Sequence, residues 1–290
     1  MSLDELVSAL DAYFWVPDVE NDDWEPIFDA LYPDPYWRDF VEPAYPRRWN
    51  GLMVRGSDEV EQVRTCVFPS DAIVAATEPR SLLFSEHPIA FEDDYEGFEP
   101  LAQESFERLR AEGVSFYHVH APLDQHPEVS PSRLCAAGAG LEGLVEYFPI
   151  AEGIPGGAAI AGDSRLTLDE LAARLRGFLG DEIPVAVLTR PRKEAGRVAV
   201  VAGGGADRKI LVESLERGCT TFVTGNAATR CRLDFVQAEV RAFRELAEEE
   251  GVAVVNATHY GMEKPPQLAM AEWFRERGLP AEFRPGRPEA

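Results

Sequence analysis

Apolar positions recur along this chain with two alternating periods, and the alternation outlines its architecture. Val63–Pro69 and Ser81–Ser85 read as short buried strands, with a helical stretch from Ser70 to Thr77 between them. Phe98–Glu112 carries Leu101, Phe106 and Leu109 at helical spacing, stops at Gly113 and leads into a β-rich run, Val114–His120. Leu144–Thr189 reads as two strands, a helix and a strand. That helix opens on Thr167-Leu168-Asp169-Glu170, a capping box, and its stripe of Leu168, Leu171, Leu175 and Leu179 is closed by Gly180.

The C-terminal part repeats the rhythm. Arg197–Ala202 is a strand, Gly203-Gly204-Gly205 turns into a helix around Ile210–Leu215, and Cys219–Thr224 is another strand. Leu233, Val236, Val240, Phe243 and Ala247 place one apolar stripe on a long helix. Val252–Asn256 is a short strand, and a final helix runs from about Pro266 to Arg277. Strand alternating with helix predicts an α/β protein of two similar lobes with mixed or mainly parallel sheets. The expected division is an N-terminal extension (1–48), a first lobe (49–150), a connecting segment (151–195) and a second lobe (196–290). A short helix, Leu3 to Phe14, opens the extension, which holds Trp15, Trp24 and Trp37. Aromatics at this density are expected to cover a neighbouring surface or a subunit contact rather than to form a substrate-recognition lid.

Charge narrows the possible partners. The 290 residues carry 28 basic and 51 acidic side chains, a net charge of −23. Nucleic acid and anionic membranes are disfavoured by such a surface, and cations are favoured. No run is long and apolar enough to span a membrane, the acidic N-terminus lacks the features of a signal peptide, and four scattered cysteines suit reduced thiols. A cytoplasmic protein is expected.

Histidine is the most informative residue type, because the chain has only five and each lies at or near a predicted strand end. Ligands of open α/β sheets gather outside the carboxyl ends of strands. Glu86-His87-Pro88 closes one strand. His118, His120, Asp124 and His126 cluster after another; His118 and His120, two apart on a strand, leave the same face. His259 and Glu263, four apart, fit one side of a helical turn. Imidazole with carboxylate suits zinc, iron or manganese. The Gly203–Gly205 turn lacks the third glycine of a dinucleotide fingerprint and a Walker lysine, so close backbone packing is expected there rather than nucleotide binding.

In this order the clusters resemble the Nif-three-like family, also described as dinuclear-metal-centre hexameric proteins and GTP cyclohydrolase type-one-like, type-two homologues. The carrying residues are Glu86-His87-Pro88, His120-Ala121-Pro122-Leu123-Asp124 and Thr258-His259-Tyr260-Gly261-Met262-Glu263. Trp49-Asn50-Gly51-Leu52, Gly203–Gly205 and Thr224-Gly225 support the match, which covers roughly Trp49 to the C-terminus. The resemblance implies two divalent metal ions in a ring-shaped homo-hexamer, with ligands His87, His120, Asp124, His259 and Glu263. Glu86 stands where the family has the first His of a pair, and Asn226 where it usually has Glu. Glu86 would then be an oxygen ligand favouring harder metals, with His118 as an extra ligand or supporting partner.

The implied activity is metal-dependent hydrolysis of a small substrate, phosphate-containing or nucleotide-like. His126 is the candidate proton shuttle, and with His118 the candidate catalytic residue. The alternatives are a non-catalytic metal-binding scaffold and a specialised branch acting on an unusual small molecule.

Overall fold

The computed structural model describes residues 1–18, 22, 24–91, 96–151 and 153–286. Its strands are β1 (Gly51–Val54), β2 (Gln62–Cys66), β3 (Ser81–Ser85), β4 (Ala90–Phe91), β5 (Phe98–Glu99), β6 (Ser115–His118), β7 (Glu142–Tyr147), β8 (Ala159–Thr167), β9 (Ala186–Thr189), β10 (Glu194–Val201), β11 (Thr221–Thr224), β12 (Ala253–Asn256) and β13 (Ala281–Phe283). The helices are α1 (Leu3–Tyr13), α2 (Glu25–Leu31), α3 (Asp71–Ala76), α4 (Gln103–Ala111), α5 (Ala121–Asp124), α6 (Pro131–Gly138), α7 (Leu168–Leu179), α8 (Arg208–Glu216), α9 (Asp234–Glu249) and α10 (His259–Glu276). No described helix is long and apolar enough to cross a membrane.

Two mixed sheets carry the α/β fold. In the first, ordered β1-β6-β3-β2-β13, only β1 runs antiparallel to its neighbour. In the second, ordered β7-β8-β10-β11-β12-β9, a parallel core of β10, β11 and β12 is flanked by antiparallel strands.

Alternate residues along each strand fill opposite layers. In the first sheet Val63, Leu82, Phe84 and Tyr117 pack against Leu3, Leu6 and Leu10 of α1 and Phe274 of α10. On its other face Met53, Leu83 and Phe116 meet Phe28, Trp37 and Trp49, so much of the N-terminal aromatic segment covers the sheet. In the second sheet Val198, Val200, Val223 and Val255 pack on Leu171 and Leu175, while Ala199, Phe222 and Val254 pack on Leu211 and Phe243. The capping box of α7 is present: Glu170 N–H donates to Thr167 Oγ1 (3.3 Å) and Thr167 N–H to Glu170 Oε2 (2.8 Å).

The structure redraws two expectations. Lobe membership does not follow chain order. β7 begins at Glu142, in the segment assigned to the first lobe, yet it pairs with β8 in the second sheet. β13, at the C-terminal end, returns to the first sheet beside β2. Hydrophobic period reports that a strand is buried but not which edge receives it.

The final helix also starts earlier than expected, at His259 rather than near Pro266. Thr258 caps it, accepting from Gly261 N–H at 2.9 Å. Pro265 and Pro266 therefore lie inside it, and each removes a donor. The carbonyl of Met262, which residue 266 would normally bond, accepts from the Cys135 thiol instead (3.5 Å).

Candidate metal centre

Each part of the centre follows the carboxyl end of a strand. After β3 the Ser85 hydroxyl donates to the His87 carbonyl, turning Glu86 and His87 out of the sheet. After β6 the His120 N–H donates to Asn50 Oδ1 (2.8 Å), and the single turn of α5 brings Asp124 beside His120, with Oδ2 3.8 Å from Nε2. After β12 the first turn of α10 sets His259 and Glu263 on one face. Gly203, beyond β10 with φ +57°, passes so close that a Cβ there would overlap Glu263 Oε1 and sit 3.1 Å from His259 Nε2. Gly225, beyond β11, packs on the backbone of His259 in the same way. Both glycine turns thus serve close packing, the role expected of Gly203–Gly205.

Glu263 is the hub. Its Oε1 lies 2.8 Å from His259 Nε2 and its Oε2 2.9 Å from His87 Nε2. Two groups of potential ligands share it: His87, His259 and Glu263, and Glu86, Asp124 and Glu263. Within each group the three ligand atoms lie within 4.8 Å of one another. His120 adjoins the second group through Asp124, and its ring centroid is 5.1 Å from that of His87.

The electrostatics fit cations. Burial, reinforced by Glu263 and Asp124, pushes the Glu86 carboxyl well above its ordinary range. Burial also lifts Asp124 to about 7. Burial would raise Glu263 as well, but His259 and His87 outweigh it and hold that carboxylate at about 2. Burial lowers His87 to about 4. It disfavours charge on His120 too, yet Asp22, Asp124 and Glu263 prevail and raise that imidazole to about 9. Carboxylates packed this closely cannot all ionise without positive charge among them. Glu86 Oε1 is buried with no hydrogen-bond partner among the described residues. That orphaned oxygen and the mixed imidazole–carboxylate donor set fit divalent metal ions.

The two candidate catalytic histidines sit elsewhere. His126 packs against Tyr13, Phe14 and Trp15. Its Nε2 lies 3.1 Å from the Tyr13 carbonyl, and its Nδ1 accepts from the N–H groups of Glu128 and Val129. With both ring nitrogens occupied by backbone, His126 is a structural histidine and has no nitrogen to shuttle protons. His118 is fully buried, bonded through Nδ1 to the Tyr45 hydroxyl (2.9 Å), and burial drives its pKa well below the ordinary value. It stays outside both ligand groups because the strand ends at His118, and His120, with φ −114° and ψ −89°, has left the strand conformation. Spacing alone did not reveal that turn.

Two supporting residues escaped the sequence reading. Asp22 Oδ2 lies 3.1 Å from His120 Nδ1 and accepts the Ala121 N–H at 3.1 Å. It comes from 98 residues earlier in the chain, and no local pattern marks it. Gln267 donates to Glu86 Oε2 (3.2 Å). One turn beyond Glu263 on α10, it was within reach of a helical-spacing argument.

The centre opens into a cavity of about 470 Å³ between the lobes. His87, His120, Asp124, His259 and Glu263 border it, together with Trp24, Phe91, Phe98, Phe148, Phe235 and Val236. Asn226 also lines it, its Oδ1 accepting from Ala206 N–H (2.7 Å).

Known proteins are similar to this chain in sequence and in fold. A Haemophilus influenzae protein described as a GTP cyclohydrolase 1 type 2 homolog is 22% identical over 240 residues, covering 81% of this chain and 88% of its own. A Deinococcus radiodurans protein of the same description is 29% identical over 248 residues, covering 83% and 86%. The solved structure of protein ybgI, of unknown function, matches with a TM-score of 0.69 at 19% identity over 100% of both chains, a likeness of fold. The model of the Duf34/NIF3 (NGG1p interacting factor 3) family matches residues 38–283, and the chain belongs to that family.

Proposed function

We propose that this chain is a metal-dependent hydrolase whose centre holds two divalent ions and acts on a small molecule. The observation that carries the reading is Glu263, one buried carboxylate shared by two ligand groups. His87 and His259 would hold one ion with Glu263, while Glu86 and Asp124, with His120 beside them, would hold the other. When bound, such ions supply Lewis acidity that lowers the pKa of water and polarises a scissile bond.

The protein's own residues do the rest. Asp22 fixes the His120 ring, since a carboxylate only accepts and Nδ1 must donate, which turns Nε2 toward Asp124. Phe68 stacks on His87 with centroids 4.3 Å apart and shields that side from water. The GTP cyclohydrolase 1 type 2 description of the relatives is in keeping with hydrolysis.

Elemental analysis of the purified protein tests the reading. Two metal equivalents per chain are expected, falling to none in Glu263→Ala together with loss of hydrolysis. Glu86→His should retain both equivalents and shift preference toward zinc. Full hydrolytic activity in metal-free Glu263→Ala would overturn the proposal.

A further inference from the structure

The cavity beside the centre is unusual in the charges that border it. Among the described residues it is lined by no Lys or Arg. Asp22, Asp124, Glu263, Asp207 and Glu239 all line it. Aromatic rings stand among the rest of its lining: Trp24, Phe91, Phe98, Phe148 and Phe235.

We infer that the substrate is a small planar molecule that presents a carbonyl and carries no negative charge, and that phosphorylated nucleotides are poor ligands. This inference rests on the hydrolytic reading above and narrows its substrate. Three observations carry it.

Phosphate recognition needs cationic or N–H donors aimed at the anion. Guanidinium and ammonium groups do not line the wall, as described. The remaining opportunity is the N-terminus of α8, which follows the glycine turn at the cavity. Asp207 already occupies it, accepting from the N–H groups of Lys209 (2.5 Å) and Ile210 (3.1 Å). A phosphate approaching that end would meet a carboxylate.

The metal ions would sit among carboxylate oxygens, which would crowd an incoming anion. Glu86, Asp124, Glu263 and Asp22 are four carboxylates within or against the centre.

The third observation concerns Asn226. Its Oδ1 takes the Ala206 N–H at 2.7 Å and the Thr224 hydroxyl at 3.3 Å. With the oxygen committed, the side-chain amide N–H₂ is what Asn226 offers the cavity it lines, a donor suited to a carbonyl oxygen. Flat aromatic walls supply the apolar contact for a ring. In the reaction, water adds to the carbonyl carbon, the bond from that carbon to the leaving nitrogen or oxygen breaks, and the leaving atom takes the proton.

Calorimetric titration of the metal-loaded protein with benzamide, phenyl phosphate and GTP provides the test. Benzamide is expected to bind at least tenfold more tightly than either phosphate. Asn226→Asp should weaken benzamide at least tenfold, and Glu239→Lys, on the exposed face of α9, should strengthen phenyl phosphate at least tenfold. Phenyl phosphate or GTP binding wild type as tightly as benzamide would overturn the inference, as would unmeasurable benzamide binding or benzamide affinity indifferent to Asn226→Asp. If metal is present in two equivalents when this happens, the substrate assignment falls and the hydrolase reading stands. If benzamide binds as expected to a protein that takes up no metal, the cavity assignment stands and the hydrolase reading falls.

Discussion

His120 can turn Nε2 toward the centre because Asp22 engages its Nδ1. Supporting carboxylates of this kind set the tautomer and the ring plane, and their loss typically lowers metal affinity about 10- to 100-fold. Asp22→Asn should therefore weaken metal binding by about that range in a competition titration with a chelator, while Asp22→Glu recovers part of it. Equal affinity in wild type and Asp22→Asn would remove Asp22 from the centre. Rare residue types close together were the legible part of the site: the fold brings His87, His120, Asp124, His259 and Glu263 around one cavity. His126, an imidazole as close in sequence to Asp124 as any, does not join them, because its ring nitrogens are taken by backbone groups that only the folded chain presents. Asp22 was illegible for the opposite reason, being one acid among many in an acidic segment.

At the scale of the element, α10 does two jobs. Its N-terminal end carries His259 and Glu263, and its C-terminal half buries Met270 and Phe274 in the core of the first lobe. Thr258 sets where the helix begins, and its buried hydroxyl satisfies an otherwise unpaired N–H. Thr258→Ala should cost about 1 kcal/mol in chemical denaturation and weaken metal binding as well, with Thr258→Ser restoring both. A variant that loses stability but keeps metal affinity would show that the cap does not position the ligands. Helices and strands were largely readable from their periods. The start of α10 was not, because a proline pair normally marks a first turn and here sits in the second and third, tolerated through the Cys135 thiol.

On the scale of the whole molecule, the C-terminal end is stitched into the first lobe. Arg64, buried in β2, is held by Glu78 at 2.8 and 2.7 Å, and Arg284, just past β13, reaches the same carboxylate at 3.2 Å. The hydrogen bond from Arg64 holds the Glu78 carboxyl below its ordinary value of 4.5. A carboxyl lowered in the folded state contributes stability above its unfolded pKa and loses it as pH falls through the folded value. Glu78→Gln should thus lower Tm at pH 7, and the gap to wild type should close on acidification below the ordinary carboxyl range. A gap independent of pH would assign the effect to packing instead. Because Glu78 is partly exposed, added salt should shrink the gap at neutral pH. Such long-range ties have no local signature, which is why two lobes were foreseen but their exchange of β7 and β13 was not.

The candidate ligands run in sequence from Glu86 to Glu263 and hang from the ends of strands in both sheets. Contacts so distant in sequence form late, after the local structure that delivers them. Folding would therefore come first and a metal ion last: neither candidate group is complete until α10 has docked. The centre is a seal on the finished molecule rather than a seed for it.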